Sequence, residues 1–119
     1  MIKMIALLKR KQGMTFNQFV EQYEKGHALF AAPYMPHATH YERRFIKPLS
    51  NPINGDATEP DFDVVTEIWF KNQADFDADM AGVSAASAAF SADEAKLFDR
   101  SGHRIFIVDQ ECVTHSARE

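Results

Sequence analysis

Two side chains in this sequence set a proton-transfer group among apolar neighbours. Glu67 stands in the run Phe62-Asp63-Val64-Val65-Thr66-Glu67-Ile68-Trp69-Phe70, whose alternation puts Val65, Glu67 and Trp69 on one side. A carboxylate held among apolar groups is costly unless paired. Burial also raises its pKa toward the range of a general base. The plain alternative is an intersubunit salt bridge to Arg43, Arg44 or Arg104. His27 lies on the stripe Phe16, Phe19, Val20, Tyr23, His27, Phe30, at spacings of three and four. An imidazole there can bond a backbone carbonyl in the core or favour a helix C-terminus. It can equally line a pocket mouth as acid, base or donor. Tyr23, His40, Tyr41 and Trp69 are the side chains suited to lining a cavity for an aromatic ligand, although aromatics at such positions also serve as plain core.

Other chemistry finds less support. His37 and His40 are three apart, which is not a strand-face period, and no compact His/Cys/Asp set accompanies them, so no metal is expected. His103 and His115 are isolated. GxGxxG, GxxxxGK[ST], HExxH and GxSxG are all missing, so catalysis would be cofactor-independent acid–base chemistry or would use a ligand bound without a recognisable motif. The one cysteine, Cys112, allows no intrachain disulfide and reads as an incidental thiol. Net charge is −4, and the only basic cluster, Lys9-Arg10-Lys11, reads as a solvated strand end. A nucleic-acid surface is therefore disfavoured. No apolar run is long enough to span a bilayer. The short run Met4–Leu8 has no small-residue cleavage site and reads as a strand. The expectation is a cytoplasmic protein.

The elements that must position these residues follow from pattern. Ile2–Arg10 predicts a strand with Met4, Ala6 and Leu8 on one face and Ile5 and Leu7 on the other. Thr15, with Gln18 three residues on, predicts a capping box opening the first helix, which should end near Pro33. Thr39–Lys47 predicts a polar edge strand, and 48–60 a long surface loop rich in Pro, Asn, Gly and Asp. Phe62–Lys71 is the clearest strand. Asn72 should cap a helix over Gln73–Met80 that Gly82 stops. Ser91 and Glu94 predict a second capping box opening a short helix through Leu97 and Phe98. Arg104–Asp109 predicts the last strand. With 119 residues, one domain over 1–110 and a polar tail over 111–119 are expected.

The order strand, helix, strand, strand, helix, strand is the ferredoxin-like βαββαβ pattern of an α+β fold, a four-stranded antiparallel sheet. Its central strands are the first and third, the two that are apolar on both faces. With both helices on one side, Ile5, Leu7, Val65 and Trp69 would face water, and such patches mark interfaces or grooves. A second copy packing sheet against sheet as an α+β barrel solves this, and the enclosed space could hold one small ligand. Homodimerisation is the expectation, with Glu67 in the wall of that space and His27 near its edge.

The chain resembles the EthD-like group of the dimeric α+β barrel superfamily. The matching pieces are Met4-Ile5-Ala6-Leu7-Leu8-Lys9-Arg10, Tyr23-Glu24-Lys25-Gly26-His27-Ala28, Phe62 to Phe70, and Phe106-Ile107-Val108-Asp109. The resemblance implies a ferredoxin-like protomer, a homodimer, and functional weight on His27 and Glu67. It also implies activities of catabolism or polyketide-type tailoring, of oxidoreductase, dehydratase or isomerase type, on an apolar or aromatic oxygenated compound. The long 48–60 loop and the Ala/Ser-rich 83–92 segment depart from the group's pattern. Two classes of function stay open. One is a cofactor-independent acid–base enzyme using His27 and Glu67. The other is a non-catalytic ligand-binding or accessory protein of a degradation pathway. Haem held by His27 is a minor third alternative.

Overall fold

The first helix begins where its cap demands. In the computed structural model, which describes residues 1–115, Thr15 Oγ1 accepts from the Gln18 amide at 3.1 Å. The Gln18 side chain accepts from the Thr15 amide at 2.9 Å, closing the capping box. Helix α1 covers Phe16–Gln22. It continues as one π-helical turn over Tyr23–His27, then as α2 over Ala28–Ala31 and a 3₁₀ turn over Ala32–Tyr34. An uninterrupted α-helix was the expectation. The wider turn holds an extra residue, and Phe19, Tyr23, His27, Ala28 and Ala31 are all buried along it.

The strands are β1 (Ile2–Leu8), β2 (Ala38–Phe45), β3 (Val64–Phe70) and β4 (Arg104–Ile107). They form one antiparallel sheet in the order β2-β3-β1-β4, so the two strands apolar on both faces are central. Burial alternates along β3 without a break. Val64, Thr66, Ile68 and Phe70 join Ala6 and Leu8 on the helix side. There they pack with Phe19, Tyr23, Leu97 and Phe98 in one cluster and with Ala31 and Met35 in another. Ile5, Leu7, Val65, Glu67 and Trp69 lie on the opposite, open face and are only partly covered. This is the ferredoxin-like α+β arrangement.

Two helix boundaries differ from expectation. α3 runs Gln73–Ala85, capped by Asn72 as predicted, but it passes through Gly82 instead of stopping there. The break falls at Ala86, and α4 occupies Ser87–Glu94. Ser91 is therefore inside a helix and not its cap. Alanine's helix propensity, about 1 kcal/mol per residue better than glycine's, lets the Ala/Ser run fold as helix on both sides of that break. The connection between β2 and β3 is the expected long surface loop, exposed throughout 47–59. None of the helices described is long and apolar enough to cross a membrane. The expected polar tail reaches past the described residues. Within them, Glu111 meets the Lys3 ammonium at 3.0 Å.

Candidate functional site

The π turn and α4 bring His27 against a partner the sequence reading did not single out. His27 Nδ1 lies 2.6 Å from Asp93 Oδ2, and both residues are buried. A carboxylate oxygen accepts, so Nδ1–H is the donor in this bond, and a neutral imidazole held that way keeps its lone pair on Nε2. That is the tautomer of a general base oriented by an acid. The imidazole stands edge-on to Tyr23 and to Phe98, each at 5.0 Å between ring centres. Tyr23, fully buried, shares a 2.6 Å hydrogen bond with the Thr66 hydroxyl on β3. Burial first, and then neighbouring Tyr41, push the Tyr23 phenol far above its usual range, so it stays protonated. Burial likewise raises Tyr41. The Arg43 guanidinium lies 4.8 Å over the Tyr41 ring and grips Glu24 through two bonds, at 2.9 and 2.5 Å. Those bonds hold the Glu24 carboxyl below the ordinary range.

Two more titratable groups edge this cluster. Burial raises the Glu94 carboxyl, against the opposing pull of His27 and Arg100. His103 stands edge-on to Phe98 at 4.9 Å, and its Nε2 is buried with no hydrogen-bond partner among the described residues. Burial, then Arg100 and His27, push its imidazole below the usual value.

The open face carries a separate group. Trp69 Nε1 donates to Glu67 Oε2 at 2.7 Å. His40 stacks on Trp69 at 4.3 Å and bonds Glu42 at 2.9 Å, while Lys3 sits 4.2 Å over the indole. Glu42 is held low, chiefly by His40, and also pairs with Arg44. Among the described residues of the protomer the hydrogen-bond partner of Glu67 is the indole; the salt bridge considered for it lies between subunits.

The six residues singled out from sequence therefore separate into two sets. Tyr23, His27 and Tyr41 meet on the helix side of the sheet. His40, Glu67 and Trp69 meet on the open side. His27 and Glu67 do not share a pocket, because β3 presents Thr66 to one face and Glu67 to the other. Asp93 and Thr66 went unrecognised. The signal for Asp93 was its spacing, three residues after half-buried Phe90 and four before buried Leu97, which a helix started at Ser91 conceals. A surface depression of about 700 Å³ on the flank of α1, lined by Lys11, Met14, Gln22, Lys25 and Lys96 among others, touches none of the six.

Comparison with known proteins agrees with this architecture. The EthD domain model matches residues 11–101, and the chain belongs to that family. An ethyl tert-butyl ether D (EthD) family protein from Bacillus halodurans C-125 is similar with a TM-score of 0.63 at 19% identity, covering 93% of this chain and 99% of its own. An EthD-like protein from Ralstonia eutropha JMP134 gives 0.62 at 17%, covering 98% and 95%. At3g17210 from Arabidopsis thaliana gives 0.59 at 15%, covering 98% and 100%. These likenesses speak for the fold. No curated protein matches the chain.

Proposed function

We propose that this chain is a small-molecule pocket protein using cofactor-independent acid–base chemistry on an apolar or aromatic oxygenated compound, with His27 as the base. The buried His27–Asp93 pair beside the buried Tyr23 hydroxyl, itself bonded to Thr66, is the observation that carries this reading. Nε2 of His27 takes a proton from an acidic C–H or O–H of the substrate. Asp93 holds the ring and stabilises the imidazolium that forms. The Tyr23 hydroxyl, with Thr66 as its other partner, donates to the oxygen on which charge develops. Tyr41 and Phe98 supply the aromatic wall. Glu67 belongs to a different task. Together with Ile5, Leu7, Val65 and Trp69 it forms the face by which two copies associate, which light scattering would detect as a dimer.

Proton–deuterium exchange into enolisable aryl ketones, followed by NMR in D2O, tests the chemistry. Wild type is compared with His27→Gln and Asp93→Asn, each first confirmed folded by circular dichroism. A loss of roughly a hundredfold or more in His27→Gln, with a smaller loss in Asp93→Asn, supports the base assignment. Equal exchange by wild type and His27→Gln overturns it.

One observation favours the non-catalytic reading. His37 Nδ1 meets buried Asp79 at the same 2.6 Å, and that pair only ties α3 to the entry of β2. A short His–Asp bond in this protein can thus be purely a fastening. Aryl ketones that shift amide resonances around Tyr23 and His27 without exchanging protons would decide for a binding protein.

A further inference from the structure

Phe98 joins two imidazoles. His27 stands edge-on to it at 5.0 Å and His103 at 4.9 Å, so the two imidazole centres lie no more than 9.9 Å apart, the sum of those distances. His27 Nδ1 has its partner in Asp93. His103 Nε2 is buried and has no hydrogen-bond partner among the described residues. A buried polar atom left alone is unfavourable, and native proteins keep few of them. One that stands beside a proton-transfer pair is a candidate to meet a polar atom of the ligand.

The chain holds this second ring in place. His103 follows a 3₁₀ turn over Arg100–Gly102, and its amide donates to Arg100 O at 3.2 Å. The Asp99 carboxylate caps the turn, accepting from the Ser101 amide at 3.1 Å and the Ser101 hydroxyl at 2.6 Å. Asp99 N donates in turn to Lys9 O at 2.9 Å. A Cβ on Gly102 would stand 3.2 Å from that of Lys9, so the turn lies tight against the end of β1. Arg100 Nη1 donates to Ser91 Oγ on α4 at 2.5 Å, and α4 also carries Asp93. One helix therefore braces both imidazoles.

We propose that His103 is a second substrate-contacting residue of the His27 site, its Nε2 exchanging a hydrogen bond with a hydroxyl on the aromatic ring of the bound compound. The inference rests on the acid–base reading of His27 and narrows its substrates to hydroxyaryl ketones. Three arguments select a ring hydroxyl. A hydroxyl both donates and accepts, so it satisfies Nε2 in either tautomer, whereas a carbonyl or ether oxygen only accepts. Burial and then Arg100 keep the His103 ring uncharged, so the imidazole itself brings no charge to pair with a carboxylate. The two imidazoles share one phenyl neighbour, so a single benzene ring with a carbonyl arm at Tyr23 and His27 can carry the hydroxyl that reaches His103, with Phe98 packed edge-on to it.

The test titrates the full chain with acetophenone and with its three ring-hydroxylated isomers, ortho, meta and para, and reads each Kd from amide shifts in NMR. The expected result is tighter binding of one hydroxy isomer than of acetophenone, by roughly tenfold to a hundredfold. In His103→Phe, which keeps a ring there, that preference should disappear. In His103→Gln, whose amide also donates and accepts, part of it should return. The imidazole nitrogen signals of the unaltered protein give a readout that needs no variant: those of His103 should shift with the preferred isomer and stay still with acetophenone. Equal binding of all four ketones, a preference that survives in His103→Phe, or His103 nitrogens unmoved by every isomer overturns the inference and leaves His27 as the base. A chain that neither binds any of the four nor exchanges their protons overturns the reading of the site itself, and this inference with it.

Discussion

Removing the Asp93 carboxylate is the sharpest probe of the site's construction. In Asp93→Ala, the Nδ1–H of His27 loses a 2.6 Å charge-assisted bond in a pocket walled by Tyr23 and Phe98. Such a bond contributes about 1.5–3 kcal/mol, and a buried donor left alone costs about 1–3 kcal/mol. The expected loss is roughly 2–4 kcal/mol, a large share of the about 5–15 kcal/mol that holds a domain folded. With a urea slope of about 1–3 kcal/mol/M, the midpoint should fall by roughly 1–2 M. A double-mutant cycle with His27→Ala separates the pair from mere cavity creation. The coupling should be about 1–3 kcal/mol, since the second substitution removes a partner already lost. Coupling below about 0.5 kcal/mol in urea denaturation would refute the reasoning, since the two residues would then be stable independently.

Further expectations concern other elements. The His37 imidazole is raised above its ordinary value, first by its bond to Asp79, so the tie between α3 and β2 is complete below the usual histidine range. It weakens as pH climbs through the raised value. An NMR titration should show His37 above a reference histidine, and Asp79→Asn should bring it down. Thr15→Ala removes the cap of α1 and should cost about 1 kcal/mol, read as a lower Tm. Gly26→Ala should stabilise the chain by up to about 1 kcal/mol, since a new Cβ would meet only the movable end of Gln22, at 2.8 Å; a lower Tm would mean that the π turn itself requires glycine. Tyr23→Phe leaves the buried Thr66 hydroxyl without its partner and should cost about 1–3 kcal/mol in urea denaturation.

Period-two alternation made the sheet legible in the sequence. Both faces of β1 and β3, the polar edge at β2 and the strand order could be read from residue types, because strand faces are set by position alone. The caps at Thr15 and Asn72 were equally legible, their donors lying three residues away. What failed needed information from further along the chain. Ser91-Ala92-Asp93-Glu94 satisfies a capping-box pattern, yet the stretch before it had helix propensity enough to start at Ser87. With the helix already under way from Ser87, Asp93 falls near its end and is the buried partner of His27. His27 and Glu67 were joined in one pocket because both sat among apolar neighbours. Only the sheet between them separates the two.

The π turn over Tyr23–His27 gives this segment a counted length. Deleting any single residue between Gln22 and Ala28 would restore a regular α-helix, which itself costs little. But everything downstream would rotate by one residue, about 100° around the axis. The imidazole would swing away from Asp93 while Ala28 and Ala31 left the sheet. Point substitutions on the outer face, at Lys25 for instance, leave that count untouched. Lineages descending from this chain can therefore vary the outer face of the segment, whereas a one-codon loss there would cost them the site while the backbone still folded as helix.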